Sequence, residues 1–154
     1  MKAKTMVLTL AMCVVGLTLC FAEDARIGTW KLNDAKSNIG AGAPKNTTVV
    51  YEAAGDKIKV TVDGVDAEGK PTHNEWTGKF DGKDYPVTGD PTSDGRSYTR
   101  VDDHTLGFNV MKGGKVISSG RIVVSADGKS RTVTVSGTDA TGKKFKSTSI
   151  YDKQ

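Results

Sequence analysis

The chain has 154 residues, with 22 lysines and arginines against 18 acids, and a formal charge of +4 to which Lys2 and Lys4 contribute half. A remainder this close to neutrality speaks against a dedicated nucleic-acid binder, whose basic residues dominate and cluster. The two cysteines, Cys13 and Cys20, both lie near the N-terminus. If that segment is removed, a disulfide scaffold and thiol chemistry are excluded with it.

Lys2 and Lys4 precede an uncharged, mostly apolar run from Met6 to Phe21 that stops at Glu23. This is the layout of a secretory signal peptide. The run is interrupted by Thr9, Gly16 and Thr18 and has no basic flank after it, so it reads as a cleaved leader and not as a membrane span. Leu19 and Met12 precede the two cysteines, where lipid attachment would need a small residue. The expected division is a signal peptide over 1–22 and one domain over 23–154. That leaves 132 residues (154 minus 22), 20 of them basic (22 minus 2) and 18 acidic. The expected location is secreted or periplasmic, with no stable membrane insertion and no nucleic-acid partner.

From Ile27 to Tyr151, short alternating apolar runs are separated by turn residues, and no stretch keeps a helical period. Gly55, Gly69, Gly82, Gly114, Gly128 and Gly142 each follow residues suited to tight hairpins. Between them Val49, Tyr51 and Ala53 alternate with polar neighbours, as do Ile58, Val60 and Val62, then Leu106, Phe108 and Val110, then Val133 and Val135. The pattern predicts an all-β antiparallel meander with one apolar face. It blurs over Val116–Ser125 and Lys143–Tyr151. There Ser119, Arg121, Ser147 and Ser149 read with Val123, Phe145 and Tyr151 as a mixed face, which suits a ligand cavity or an ordinary edge strand. Two irregular stretches, residues 34–46 and 88–95, read as loops of the kind that carry function on a rigid scaffold.

The segment Val60–Lys70 matches Val133–Lys143 at eight of eleven positions, a displacement of 73 residues. Duplicated hairpin units, or convergent turn chemistry, account for it. About eight to ten meandering strands leave aggregation-prone edges unless they close, so a barrel is the expected architecture.

The opening strand, Gly28-Thr29-Trp30-Lys31-Leu32, resembles the Gly-x-Trp start of lipocalins and, more closely, the first strand of fatty-acid-binding proteins. The ending, Ser147-Thr148-Ser149-Ile150-Tyr151-Asp152-Lys153, resembles the final strand of the latter. The whole looks like the calycin superfamily, including secreted bacterial lipocalin-like proteins of unassigned function. The resemblance implies a lipocalin-like β-barrel plugged at one end by Trp30, with a ligand held inside. It also shows departures. Residues 35–46 are too few and too glycine-rich for the two-helix lid, and the family's final-strand arginine falls on Ser149, although Tyr151 matches.

Chemistry is sparse. His73 and Glu75 share a strand face and would suit a metal ligand pair or a general base with an orienting carboxylate, but a solvent-facing role is favoured. Asp63, Asp66 and Glu68 invite a cation reading, yet the repeat replaces two of them with Ser136 and Thr141, so turn formation is favoured. Catalytic, phosphate-binding and dinucleotide motifs are absent from the sequence, and no cofactor or metal is expected. The candidate ligand-binding residues are Tyr51, Trp76, Tyr98, Arg100, Phe108, Arg121 and Tyr151, as apolar walls with a few polar groups. The expected function is non-catalytic binding of a small hydrophobic or amphipathic molecule. The alternative is a structural or interaction module of the cell envelope with a filled barrel.

Overall fold

A computed structural model describes residues 24–139 and 141–154; the segment expected to be a signal peptide, residues 1–22, lies outside the described residues. The strands are β1 (Gly28–Leu32), β2 (Lys45–Ala54), β3 (Lys57–Val65), β4 (Pro71–Gly78) and β5 (Tyr85–Thr88), then β6 (Gly95–Arg100), β7 (Thr105–Lys112), β8 (Lys115–Val124), β9 (Ser130–Thr138) and β10 (Lys144–Lys153). Each pairs antiparallel with its neighbours in sequence, and β1 also pairs with β10, through Trp30 opposite Lys153 and Leu32 opposite Tyr151. The result is a closed all-β barrel without a free edge, as expected from the meander.

The repeat is visible in the backbone. Asp66 and Asp139 head equivalent turns: each Oδ1 accepts from the amides two and four residues on, at 2.8 to 3.0 Å. Gly69 and Gly142 then take φ of +78° and +83°, a conformation that glycine adopts without steric cost. The aspartates are therefore turn formers, and β3 and β9 occupy equivalent places.

Because side chains alternate, the pairing fixes which residues face inward. Trp30, Val49, Tyr51, Val60, Val62, Trp76, Tyr98, Leu106, Ile122, Val124 and Tyr151 meet in one buried cluster. Its base is sealed by residues 24–27. Trp30 is wholly buried and its Nε1 donates to the Arg26 carbonyl at 2.9 Å. Arg26 is itself buried, paired with Asp24 at 2.9 Å, and donates to the Asp102 carbonyl at 2.9 Å. Trp30 thus plugs one end, as the resemblance implied.

The sheet also needs close approach at Gly64, where a Cβ would meet the Lys45 carbonyl and the Asn46 Cα, beside the bulge that shifts register between Asn46 and Thr48. Gly64→Ala is expected to destabilise by about 1–3 kcal/mol, the usual cost of overpacking. Gly40→Ala, with open space around it, should be near neutral by urea denaturation.

Candidate ligand site

The inward face divides into two halves. Toward the sealed end, the aromatic residues are packed solid. Trp76 meets Tyr98 edge-on at 4.8 Å and Tyr85 at 5.7 Å, and its Nε1 donates to the Arg96 carbonyl at 2.8 Å. Toward the other end, the inward residues of β7 to β10 remain half-buried: Phe108, Val110, Ser118, Val133, Val135, Ser147 and Ser149. This second half is an apolar wall set with small hydroxyl groups.

Arg131 lies at the floor between the halves. Val124 and Tyr151 flank it in register, Val133 is the next inward residue above it, and only 3% of its surface is exposed. Its guanidinium carbon is 5.0 Å from the Trp30 ring, 5.0 Å from Tyr51 and 4.7 Å from Tyr151. The ring faces attract the cation. No carboxylate of the described residues stands within ion-pair distance of it, and its Nε has no hydrogen-bond partner. A buried cation without a counter-charge is costly. Arg96 also faces inward, opposite Val110, with a long 3.4 Å bond to Asn74 Oδ1, the Tyr98 hydroxyl beside it and the Asp90 carboxylate nearby. The inward positions of the ten strands include no aspartate or glutamate. The charged groups on the inward face are therefore cations.

Burial pushes the Tyr51 phenol far above its ordinary value of 10, with neighbouring Tyr98 adding to the rise and Arg131 opposing it. Burial likewise raises Tyr151, again against Arg131. Both hydroxyls consequently stay neutral in the physiological range. Tyr151 already donates to the Asn46 carbonyl at 3.0 Å.

Of the sequence candidates, Tyr51, Trp76, Tyr98, Phe108 and Tyr151 do come together inside. The two arginines do not. Arg100 lies at the rim of the sealed end, half exposed and bound to Asp24 at 2.8 Å. Arg121 is exposed on the outer face, opposite Gly107 and Thr134, because Ile122 and Val124 turn inward and fix the opposite parity for Ser119, Arg121 and Val123. The mixed face read across β8 and β10 is thus two faces, and the part on β10 is the inner one. The inward cations, Arg96 and Arg131, were missed. A signal existed: displacement by 73 residues superposes Arg131, Val133 and Val135 on Ile58, Val60 and Val62, which places Arg131 on an apolar face.

His73 and Glu75 lie on the outer face of β4. His73 Nδ1 is 2.6 Å from Asp63 Oδ1, and Glu75 is held by Lys59 at 2.8 Å. The Asp63 hydrogen bond raises the His73 pKa above 6.5, with smaller help from the charges of Asp63 and Glu75. Any stabilisation from this contact is present below the unfolded-state value and fades as pH rises through the folded one. In an NMR titration the His73 ring should titrate above 6.5 in the native protein and lower in Asp63→Asn; an identical midpoint in the two would remove the Asp63 contact as the cause.

No family model and no curated protein matches this chain. Among solved structures, EF1p2_mFAP2b bound to DFHBI is similar with a TM-score of 0.50 and 10% identity, over 84% of this chain and 94% of that one. A redesigned β-barrel, mFAP1, bound to DFHBI, gives 0.47 and 14%, over 84% and 95%. The likeness is one of fold, a closed antiparallel β-barrel.

Proposed function

We propose that this chain is an exported, non-catalytic binding protein whose barrel holds a small amphipathic molecule, its apolar part against β7 to β10 and an acidic group toward Arg131 and Arg96. The observation that carries the reading is Arg131, buried, caged by three rings and left without an acid. A ligand acid would supply the missing counter-charge, and charge-assisted bonds in a dry site are the strong ones. Small hydroxyls at Ser118, Ser147 and Ser149 provide further polar contacts on an otherwise apolar wall. That EF1p2_mFAP2b is bound to DFHBI is in keeping with a barrel of this shape taking up a small molecule. The leader-like residues 1–22 support export to the periplasm or beyond. His73 and Glu75, spent on Asp63 and Lys59 at the outer surface, support a non-catalytic role.

The second reading is the envelope module with a filled barrel, favoured by the solid packing of the sealed half. Anilinonaphthalene sulfonate, an anionic apolar probe, separates the two. Saturable fluorescence enhancement by the folded protein, abolished when Ser149→Trp fills the open half, supports the ligand-binding barrel. A folded protein that takes up no probe is the filled module.

A further inference from the structure

The open rim at the β7–β8 and β9–β10 turns borders the proposed ligand wall at Ser118, and Phe145 is the last inward residue of β10 there. Val116 and Phe145 are 57% and 40% exposed, and both line an open depression of about 390 Å³ with Ile117, Gly137 and Lys144. The depression exists because position 137 has no side chain: a Cβ there would meet the Ile117 carbonyl at 2.6 Å, Ser118 Cβ at 2.7 Å and Phe145 Cε1 at 3.0 Å.

Lysines surround these apolar groups. Lys115 precedes Val116, Lys144 and Lys146 bracket Phe145, and Lys143 completes the turn; all four are exposed. None is ion-paired among the described residues. Two acids share this rim: Asp139, beside Lys143, accepts from the Thr141 and Lys143 amides at 2.9 and 3.0 Å, and Asp94 from the Gly113 amide at 2.8 Å, so the four lysines outnumber them. Phe145, on the inner face at the mouth of the barrel, keeps 40% of its surface exposed between lysines that point to the outer face. Basic groups flanking aromatic and aliphatic ones match a surface that is anionic outside and apolar beneath.

We propose that this rim docks the protein reversibly onto an anionic lipid bilayer. Phe145 and Val116 enter the headgroup layer, while Lys115, Lys143, Lys144 and Lys146 lie over lipid phosphates. The contact is peripheral and needs no insertion of the barrel. It places the open half of the interior toward the membrane, but it does not depend on any ligand being inside.

The test is co-sedimentation of the purified exported protein with vesicles of phosphatidylcholine alone, or of equal parts phosphatidylcholine and phosphatidylglycerol. Binding is expected to the anionic vesicles only and to weaken with salt as the charges are screened. Lys144→Glu and Lys146→Glu should each lower partitioning about fivefold or more, the usual contribution of a basic residue at an anionic surface. Phe145→Ser should weaken it with every lysine intact, whereas Lys57→Glu at the opposite end and Arg131→Met inside should leave it unchanged. Circular dichroism confirms that each variant is folded. Three results would overturn the proposal: no binding to anionic vesicles, equal binding to neutral ones, or binding that ignores Phe145→Ser and so reports a hydrophilic polyanion site.

Discussion

Trp30→Ala is expected to lower the unfolding free energy by about 3–5 kcal/mol, the range for truncating a fully buried aromatic. The ring is inaccessible, and it joins structure from several parts of the chain. Its Nε1 holds the Arg26 carbonyl at 2.9 Å, so the plug loses its anchor. Its face carries Arg131 at 5.0 Å and Lys153 at 5.4 Å, so both cations lose part of their cage. Pairing of β1 with β2 and β10 closes the barrel at this residue, where Trp30 faces Val49 and Lys153. Urea denaturation should show a lower midpoint. Phe145→Ala at the exposed rim should stay within about 0.5 kcal/mol of the native protein, and a comparable loss there would mean that the core is not where the packing places it.

Arg131→Met has the second large effect, and it divides binding from stability. Methionine fills a similar volume and makes favourable contacts with aromatic rings. Replacing a buried charge that lacks a counter-ion with an apolar side chain is commonly neutral or stabilising. The variant should therefore melt at or above the native temperature. Its affinity for an acidic amphiphile such as dodecanoate should fall about tenfold to a hundredfold, since hydrogen bonds to charged groups contribute about 1.5–3 kcal/mol. A variant that melts well below the native protein yet keeps its affinity when folded would make Arg131 a purely structural cation, held by Trp30, Tyr51 and Tyr151.

Much of the architecture was legible because turn chemistry is local. Asp66 and Asp139, each followed three residues later by glycine, specify their hairpins through their own carboxylates and through a conformation that glycine takes readily. Trp30 was legible as a plug only through the resemblance of its strand to a known family. Tyr51 and Phe108 followed from strict alternation on β2 and β7, whereas the pattern on β10 was blurred. Arg121 and Arg131 show where sequence reading fails. Arg121 sits between Ser119 and Val123 and looks like part of a mixed face, but the parity of β8 is decided by Ile122 and Val124, and a register shift near Val110 and Met111 breaks the pattern farther along. Arg131 has the inward parity of Val133, yet long basic side chains ordinarily turn their heads to solvent. Only closure of the barrel, with Trp30, Tyr51 and Tyr151 converging from three strands, shows that this one cannot. The two halves of the interior were equally out of reach, because alternation reports direction and not the space left between side chains.

The proposed ligand site sets an acidic head group against the buried cation Arg131. Its most direct test is a pair of calorimetric titrations of the native protein, with dodecanoate and with dodecanol, which share a chain and differ in the charge of the head group. Dodecanoate is predicted to bind one per protein and at least tenfold more tightly than the alcohol, with the difference vanishing in Arg131→Met. Equal affinities for the two probes, or no uptake of either by the folded protein, would contradict it.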